Sequence, residues 1–196
     1  RQISLDRPVA VKVLPNSLTK KEGFVERFYR EAKSVAKINC SQIVQVYGAG
    51  EIEGKHYFAM EYVEGEDLSE KLSRGVRFEV PKVLHIIKES AKALAAAGEK
   101  NIIHRDIKPG NIMLSRKGEV KIMDFGLAKV TTEASELTQA GVVMGTVNYL
   151  SPEQGQGKKC DQRTDIYSLG VAMYELLTGK VPFEGENPSS VIYQHI

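Results

Sequence analysis

Hydrophobic positions in the first third of the chain change from strand spacing to helix spacing and back. Every second residue over Val9–Val13 is a valine, which predicts a strand that Pro15 closes. Residues 20–38 have the period of an amphipathic helix with a narrow apolar stripe. Short β-rich runs separated by glycines then follow between residues 43 and 62, and they predict an antiparallel meander.

The rest of the chain has mainly helical patterns. They occupy residues 68–72, 83–97 and 165–178. The last segment is apolar around most of its circumference and stops at Gly179, which predicts a buried central helix. Residues 112–123 predict a hairpin, and residues 129–148, which show no period, predict a long surface loop. This order of elements predicts two lobes with a hinge near residues 61–65.

Composition narrows the class of protein. The 196 residues carry 27 Lys and Arg against 25 Asp and Glu, a net charge of +2, so no basic excess indicates a nucleic-acid surface. A hydrophobic fraction of 42% is ordinary for a globular domain. The longest apolar run has five residues, at 93–97, whereas a bilayer-spanning helix needs roughly 20. Cys40 and Cys160 fit free thiols in a reducing cytoplasm, which is the location we expect.

The most informative stretch for chemistry runs from His104 to Asn111. Asp106 and Asn111 lie five residues apart, on either side of a Pro-Gly pair that cannot continue a helix, with Lys108 between them. A lone Asp on a loop is usually a turn residue or a helix cap. Here two oxygen-bearing side chains converge from a stiff loop, which suits a hydroxyl nucleophile held beside a phosphate and a divalent cation. Asp124 follows a predicted strand thirteen residues later and is a second candidate metal ligand.

These motifs resemble the signature of the protein kinases, most closely that of bacterial serine/threonine protein kinases with the eukaryotic catalytic fold. Val9-Ala10-Val11-Lys12 is similar to the strand motif that carries a phosphate-binding Lys. Asp124-Phe125-Gly126 is similar to the metal-binding motif, and Ser151-Pro152-Glu153 to Ala-Pro-Glu with one substitution. Asp165 has the position of a buried Asp in the family.

For the fold, the resemblance implies an α+β, bilobal protein-kinase-like architecture. Residues 1–62 would form a small lobe with an antiparallel β-sheet and one helix, 63–67 the hinge, and 68–196 a larger, mainly helical lobe. We expect truncation at both ends, because none of the 11 residues before Lys12 is the Gly of a Gly-rich loop. The last residues likewise resemble a helix cut short. The fragment alone is then expected to be inactive, with Glu153 lacking its family Arg partner.

For catalysis, the resemblance implies a role for each polar residue of these motifs. Asp106 would orient the substrate hydroxyl, Lys108 would steady the γ-phosphate, and Lys12 would hold the α- and β-phosphates of ATP. Asn111 and Asp124 would hold Mg²⁺, with Mn²⁺ as an alternative. Glu31 lies on the apolar stripe of its predicted helix and needs a cationic partner there, which Lys12 would supply.

For the nucleotide, the resemblance implies a set of mostly apolar contacts. The residues concerned are Ala10 and Met113 on the two faces of adenine, Met60 behind it, and the backbone of Glu61 and Val63 at its edge. Asp67 would contact the ribose, although a plain helix-start carboxylate is an equal alternative. An apolar stack that couples the lobes would consist of Val35, Val46, His104 and Phe125.

Substrate class and regulation also follow from the resemblance. Lys108 marks the serine/threonine enzymes, and Thr146 would bond the catalytic Asp and Lys. Arg105 would pair with a phosphorylated residue of the segment before Ser151, and Thr138 is our first choice for that residue. The expected partners are protein substrates and ATP, with no nucleic acid and no membrane contact from this segment. A membrane anchor elsewhere in the parent chain is left open.

Two other functions fit the same residues less well. A catalytically dead, nucleotide-binding pseudokinase usually lacks the Lys, the Asp or the metal ligand, and all three are present here. A small-molecule kinase of related fold is disfavoured by Ser151-Pro152-Glu153 and the long loop before it, which serve peptide binding in the family.

Overall fold

An antiparallel three-stranded sheet forms the smaller lobe. The computed structural model describes residues 1–19, 23–125 and 147–196, and for Glu31 the backbone only. The strands are β1 (Val9–Val13), β2 (Val46–Ile52) and β3 (Lys55–Glu61), with β3 in the centre. Ala10 lies opposite Met60 and Lys12 opposite Phe58, so these four side chains share one face of the sheet. The predicted strand is confirmed. The predicted meander is instead a single hairpin of β2 and β3, with β1 paired to the other side of β3.

A helix covers this face of the sheet through phenylalanine side chains. Helix α1 (Asn16–Thr19) is a single turn, and helix α2 (Phe24–Val35) follows it. Phe28 of α2 is buried against Phe58 of β3, with 5.2 Å between the ring centroids. Burial of a phenylalanine side chain stabilises by about 1.5–3 kcal/mol, so this contact favours the docking of α2 on the sheet.

Helix α2 is shorter than the predicted segment 20–38. Residues 20–22 lie outside the described part of the chain. After Val35 the backbone turns, and the N–H of Ile38 donates to the carbonyl of Val35 at 2.9 Å. The apolar period therefore continues past the end of the helix, because Ile38 is buried from a turn.

A second antiparallel sheet lies at the top of the larger lobe. Its strands, in spatial order, are β4 (Gly65–Asp67), β5 (Ile112–Ser115) and β6 (Val120–Ile122). Strands β5 and β6 form the predicted hairpin, whose turn contains Gly118 with φ +84°. Strand β4 lies inside the predicted hinge and was not expected; it pairs with β5, so Asp67 faces Met113 across the sheet.

Helices form the rest of the larger lobe. They are α3 (Leu68–Ser73), α4 (Val80–Gly98), α5 (Pro152–Gly155), α6 (Gln162–Thr178) and α7 (Pro188–His195). The main core lies where α4 and α6 meet the second sheet, and it includes Leu68, Ile86, Ile107, Ile122 and Leu176, each fully buried. None of the described helices is long and apolar enough to cross a membrane.

Helix α6 is central but not buried all round. Leu169, Ala172 and Leu176 are buried, as predicted. Ile166, however, is 65% exposed and Tyr174 is 47% exposed, so the helix is buried on one side only. Apolar residues around a helix predict only what it is able to bury, and one face of α6 remains open in the described part of the chain.

The two sheets are joined through the segment that precedes β2. The N–H of Ile122 donates to the carbonyl of Gln42 at 2.7 Å, and the N–H of Val44 donates to the carbonyl of Ile122 at 2.9 Å. Ile43 forms a parallel bridge with Ile122. Strand β6 is thereby bonded to the smaller lobe next to Asp124, which brings the predicted site residues of both lobes together.

Candidate active site

The loop between α4 and β5 gathers three of the predicted catalytic side chains. The Asp106 carboxylate oxygen Oδ2 lies 3.0 Å from the Lys108 ammonium and accepts a hydrogen bond from Asn111 Nδ2 at 3.1 Å. Asn111 Nδ2 also donates to the backbone carbonyl of Asp106 at 2.6 Å. Since Asn111 stands in a tight turn, Pro109–Asn111, these bonds hold the Asp106 carboxylate in one orientation.

Asp165 of helix α6 anchors the start of this loop. Its two carboxylate oxygens accept the backbone N–H groups of His104 and Arg105, each at 2.8 Å. Burial raises the pKa of Asp165, and the two backbone donors oppose that rise. Arg105 has a φ of +64°, a conformation that costs an ordinary residue energy and that the two bonds maintain. The expected buried Asp is confirmed, and it shapes the backbone directly before Asp106.

His104 connects the loop to strand β6. Its Nδ1 accepts the N–H of Asp106 at 3.2 Å, so the proton of the ring lies on Nε2, which donates to the carbonyl of Met123 at 2.9 Å. Burial lowers the pKa of His104, in agreement with a neutral ring. The ring also stacks on Phe125, with 4.6 Å between centroids. His104 therefore places Asp106 and the residues around Asp124 in one fixed arrangement.

Asp124 meets Lys12 across the gap between the lobes. Lys12 Nζ on strand β1 lies 2.7 Å from Asp124 Oδ1. Asp124 follows β6 directly and has a φ of +59°, which turns its side chain away from the strand direction. The N–H of Met123 donates to the carbonyl of Asn111 at 3.0 Å, so Asn111 and Asp124 are held by neighbouring backbone. The structure thus brings Lys12, Asp106, Lys108, Asn111 and Asp124 into one region.

The donor set in this region fits Mg²⁺. Asp124 Oδ1 is buried, and apart from the Lys12 ammonium it has no polar partner among the described residues. Both described hydrogen bonds of the Asn111 amide use its nitrogen, which leaves the amide oxygen for a cation. No group of three His, Cys, Asp or Glu side chains in the described ranges could hold a metal alone. Mg²⁺ commonly takes one or two protein ligands together with substrate phosphates.

The side chains of three predicted residues lie outside the described part of the structure. Glu31 lies on α2, but its side chain is outside the described part, and so the Lys12–Glu31 pair stays a prediction. Thr138 and Thr146 also lie outside the described residues. The described partner of the Lys12 ammonium is Asp124.

The predicted adenine contacts lie on the two sheets that face the gap. Ala10 lies opposite Met60 in the sheet of the smaller lobe, and Met113 lies opposite Asp67 in the sheet of the larger lobe. Val63 in the connection between the sheets is buried. Their positions agree with a flat apolar group inserted between the lobes.

Asp67 takes the alternative role that its sequence position left open. Its carboxylate accepts the N–H of Glu70 at 2.9 Å and caps the N-terminus of α3. The ribose contact stays a prediction that the structure does not test.

The predicted apolar stack is continuous. Val35 of α2, Val46 of β2 and Phe125 line one small cavity, and the ring of His104 lies against Phe125. The four side chains connect the helix of the small lobe with the catalytic loop. Because apolar contacts of this kind depend on close packing, a shift of α2 would change the packing around His104.

Residues 147–155 join the catalytic loop to helix α6. Ser151 and Gln154 form a reciprocal N-terminal cap of α5, and Gln154 Nε2 donates to the carbonyl of Arg105 at 2.9 Å. Tyr149 donates to Glu175 at 2.6 Å; burial raises the pKa of Glu175, and this bond opposes the rise. Sequence reasoning missed the Gln154 contact, because nothing in the Ser-Pro-Glu motif points to it.

Glu153 is not left without a partner. The Thr164 hydroxyl donates to its carboxylate at 2.5 Å, although burial opposes the ionised form. The pKa of Glu153 is lowered overall, with this hydroxyl among its causes. The sequence predicts only the loss of an Arg partner, and a neutral donor stabilises this half-buried carboxylate here.

A cavity of about 460 Å³ lies next to the catalytic loop, on the side of α6. Its lining includes Lys108, Gly110, Tyr149, Glu175 and Lys180. Lys108, which lines this cavity, is the ion-pair partner of Asp106.

Similarity to known proteins extends over the whole chain. The protein kinase domain family matches residues 1–196. A serine/threonine-protein kinase PknB of Mycobacterium leprae is 44% identical over 200 residues, covering 100% of this chain and 32% of that protein. A probable serine/threonine-protein kinase PknB of Corynebacterium glutamicum is 45% identical over 197 residues, covering 98% and 30%. The chain spans about a third of the length of these curated relatives.

Solved structures give the same family likeness. The crystal structure of the Mycobacterium tuberculosis PknI kinase domain has a TM-score of 0.73 at 28% identity, and the match covers 91% of this chain and 65% of that one. A mutant form of the same domain has a TM-score of 0.72 at 29% identity, with 90% and 65% covered.

Proposed function

The chain belongs to the protein kinase domain family, and from that premise we propose that it catalyses ATP-dependent phosphorylation of serine and threonine hydroxyls on protein substrates. The observation that carries the proposal is the arrangement of Asp106, Lys108 and Asn111 in one bonded loop, beside the Lys12–Asp124 ion pair. Phosphoryl transfer needs positioning and charge stabilisation more than covalent chemistry, and this arrangement offers both.

Asp106 is the residue that meets the acceptor. The hydroxyl oxygen of the substrate attacks the γ-phosphorus, the bond to the oxygen bridging the β- and γ-phosphates breaks, and the hydroxyl proton passes to the Asp106 carboxylate. ADP leaves, and the phosphoester remains on the protein substrate. Lys108, whose ammonium lies 3.0 Å from Asp106, stabilises the charge on the transferred phosphate.

The nucleotide occupies the gap between the two sheets. Ala10 and Met113 pack on the faces of adenine, Met60 lies behind it, and backbone groups of Glu61 and Val63 bond its edge. Asp67 lies at the ribose. Lys12 binds the α- and β-phosphates, with Glu31 as its partner when the nucleotide is bound.

Asn111 and Asp124 would hold the divalent cation, Mg²⁺ or Mn²⁺. When bound, this cation neutralises charge on the phosphates. The peptide substrate lies along residues 147–151 and the cavity beside Lys108. We place this part of the protein in the cytoplasm, where its two free thiols persist.

The test uses the full-length gene product and ATP radiolabelled at the γ-phosphate. We expect label on a generic protein substrate or on the protein itself, and phosphoserine or phosphothreonine after acid hydrolysis. Nucleotide binding without any transfer would indicate a pseudokinase and contradict the proposal. Label only on small metabolites, or on tyrosine, would contradict it as well.

Regulation through Arg105 is part of the proposal. The Arg105 side chain is exposed and makes no ion pair with any described residue, while its backbone is fixed on both sides by Asp165 and Gln154. A phosphate on Thr138 adds a charge of about −2 and forms charge-assisted bonds with this guanidinium. Thr146 would bond Asp106 and Lys108, as the family resemblance implies, and so we do not choose it as the regulatory site.

We therefore predict that Thr138→Ala lowers phosphotransfer severalfold, with little change in melting temperature. Thr131→Ala, in the same segment, is the matched control and keeps the activity of the parent. Arg105→Ala makes the enzyme insensitive to the phosphate. Peptide mapping of protein that has been incubated with ATP detects the modification. An active enzyme without phosphate between residues 129 and 145 would rule this mechanism out.

A further inference from the structure

One ion pair behind the nucleotide gap differs from the surface pairs around it. Lys121 Nζ of β6 lies 2.6 Å from Glu61 Oε1 at the end of β3, and the two side chains are only 14% and 23% exposed. The nearby pair of Arg116 with Glu64 is similar in length, 2.8 Å, but its side chains are 79% and 65% exposed. Most of the Lys121–Glu61 pair has therefore been removed from water.

Glu61 uses both of its carboxylate oxygens in this position. While Oε1 contacts Lys121, Oε2 accepts the N–H of Gln45 at 3.2 Å. The N–H of Glu61 itself donates to the carbonyl of Gln45 at 2.8 Å. The last residue of β3 is thus held from two sides, by the segment before β2 and by β6.

Lys121 lies at the junction of the two lobes. It lies opposite Met113 in the sheet of the larger lobe, so the two side chains share a face of that sheet. The next residue, Ile122, carries the backbone bonds to Gln42 and Val44 that join the lobes. Asp124 follows three residues after Lys121 in the chain. One side chain therefore connects the end of β3 with the strand that leads to Asp124.

Burial of this pair is not explained by stability alone. A buried ion pair gives back in attraction roughly what it loses in hydration, whereas removing one partner leaves a charge that is costly to bury. The clearer effect of such a pair is on geometry, since the observed arrangement gives both oxygens of the largely buried carboxylate a partner.

We propose that Lys121 is a positioning residue for nucleotide binding. By holding the Glu61 carboxylate, it fixes the backbone of residues 61–63 relative to Met113, and so sets the width and register of the adenine slot. The inference rests on the proposed function in one respect only, the location of the nucleotide between the two sheets.

The test measures the affinity of the full-length gene product for a non-hydrolysable ATP analogue with Mg²⁺, by calorimetry below the melting transition. Lys121→Met keeps an unbranched side chain of similar length and removes the charge. We expect affinity to fall roughly three- to tenfold, because the largely buried Glu61 carboxylate loses its cation. Lys121→Arg keeps the cation and restores most of the affinity. Arg116→Met breaks the exposed pair nearby and leaves affinity unchanged.

A purely structural role gives a different result. In that case Lys121→Met lowers the melting temperature without changing affinity, and the proposal is overturned. It is also overturned if Lys121→Arg loses as much affinity as Lys121→Met. If the Met variant does not fold, Lys121→Gln, which keeps a polar end, replaces it.

The same experiment separates this inference from the proposed function. A parent protein that binds the analogue but transfers no phosphate contradicts the proposed function, and the variants still decide the role of Lys121. A parent protein that binds no adenine nucleotide contradicts both.

Discussion

His104 is the residue on which the geometry of the catalytic loop depends most. It is completely buried, its Nδ1 accepts the Asp106 N–H, and its Nε2 donates to Met123. A proton on Nδ1 would replace an accepted hydrogen bond with two facing donors. Burial also lowers the pKa of His104, because the charged ring would be poorly solvated.

We predict that the His104 ring is neutral, with its proton on Nε2, at a pH slightly below the usual histidine pKa of about 6.5. Long-range proton–nitrogen NMR of histidine-labelled protein measures this tautomer, and loss of the signal in His104→Gln assigns it. A ring that titrates at or above the usual value would contradict the hydrogen-bond assignment.

The lowered pKa of His104 also makes the free energy of unfolding depend on pH. Below about pH 6.5 the unfolded chain takes up a proton at this residue while the folded one does not, so the free energy of unfolding decreases as the pH falls. His195 is buried and its pKa is lowered too, hence it adds to the same slope.

Sequence spacing predicted contacts between residues of one stiff loop. It missed contacts between residues on different strands. The five-residue separation of Asp106 and Asn111 is enough to predict their contact, which the structure contains. Lys121 and Glu61 are far apart in the chain and adjacent only because β6 meets the end of β3. No local pattern encodes such a pair.

Two glycines show how helix α6 is constrained at one end and free in the middle. Gly179 ends the helix with a φ of +77°, and a Cβ there would lie 2.6 Å from the Arg77 guanidinium carbon. Gly170, in the helix interior, is exposed and has open space around it. The same substitution should therefore have opposite effects at the two positions.

We predict that Gly179→Ala lowers the free energy of unfolding by about 1 kcal/mol or more, because alanine disfavours a positive φ and meets Arg77. Gly170→Ala should raise it by about 0.5–1 kcal/mol, the helix propensity difference. Urea denaturation of both variants measures the pair. A Gly179→Ala variant as stable as the parent would contradict the described end of α6, and a destabilised Gly170→Ala variant would contradict the open space at that position.

Secondary structure was predictable where the pattern was long or where a turn residue marked it. Strand β1, the hairpin of β5 and β6, and the end of α6 at Gly179 all match their predictions. Strand β4 was missed because three residues carry no period, and only pairing with β5 makes them a strand. The end of α2 was misplaced because Ile38 continues the apolar period from a turn.

At the scale of the whole molecule, each of the two lobes contains one sheet, and the site residues lie on these sheets and on the loops next to them. Each lobe contributes one member of the Lys12–Asp124 pair, and the lobes are joined by backbone bonds at Ile122 and by the Glu61–Lys121 pair. The two-lobe arrangement was predictable from the order of strands and helices. How closely the lobes approach was not, because that distance depends on contacts between segments far apart in the chain.

The proposed function depends most on Asp106, the residue that meets the reacting hydroxyl. The decisive measurement is phosphotransfer to a protein substrate by the full-length gene product and by its Asp106→Asn variant, with nucleotide affinity measured on the same samples. We predict that turnover falls by roughly 10²–10⁴, the usual contribution of a positioned acid–base group, while affinity for the nucleotide is unchanged. Turnover equal to that of the parent, at full nucleotide affinity, would show that Asp106 does not have this role.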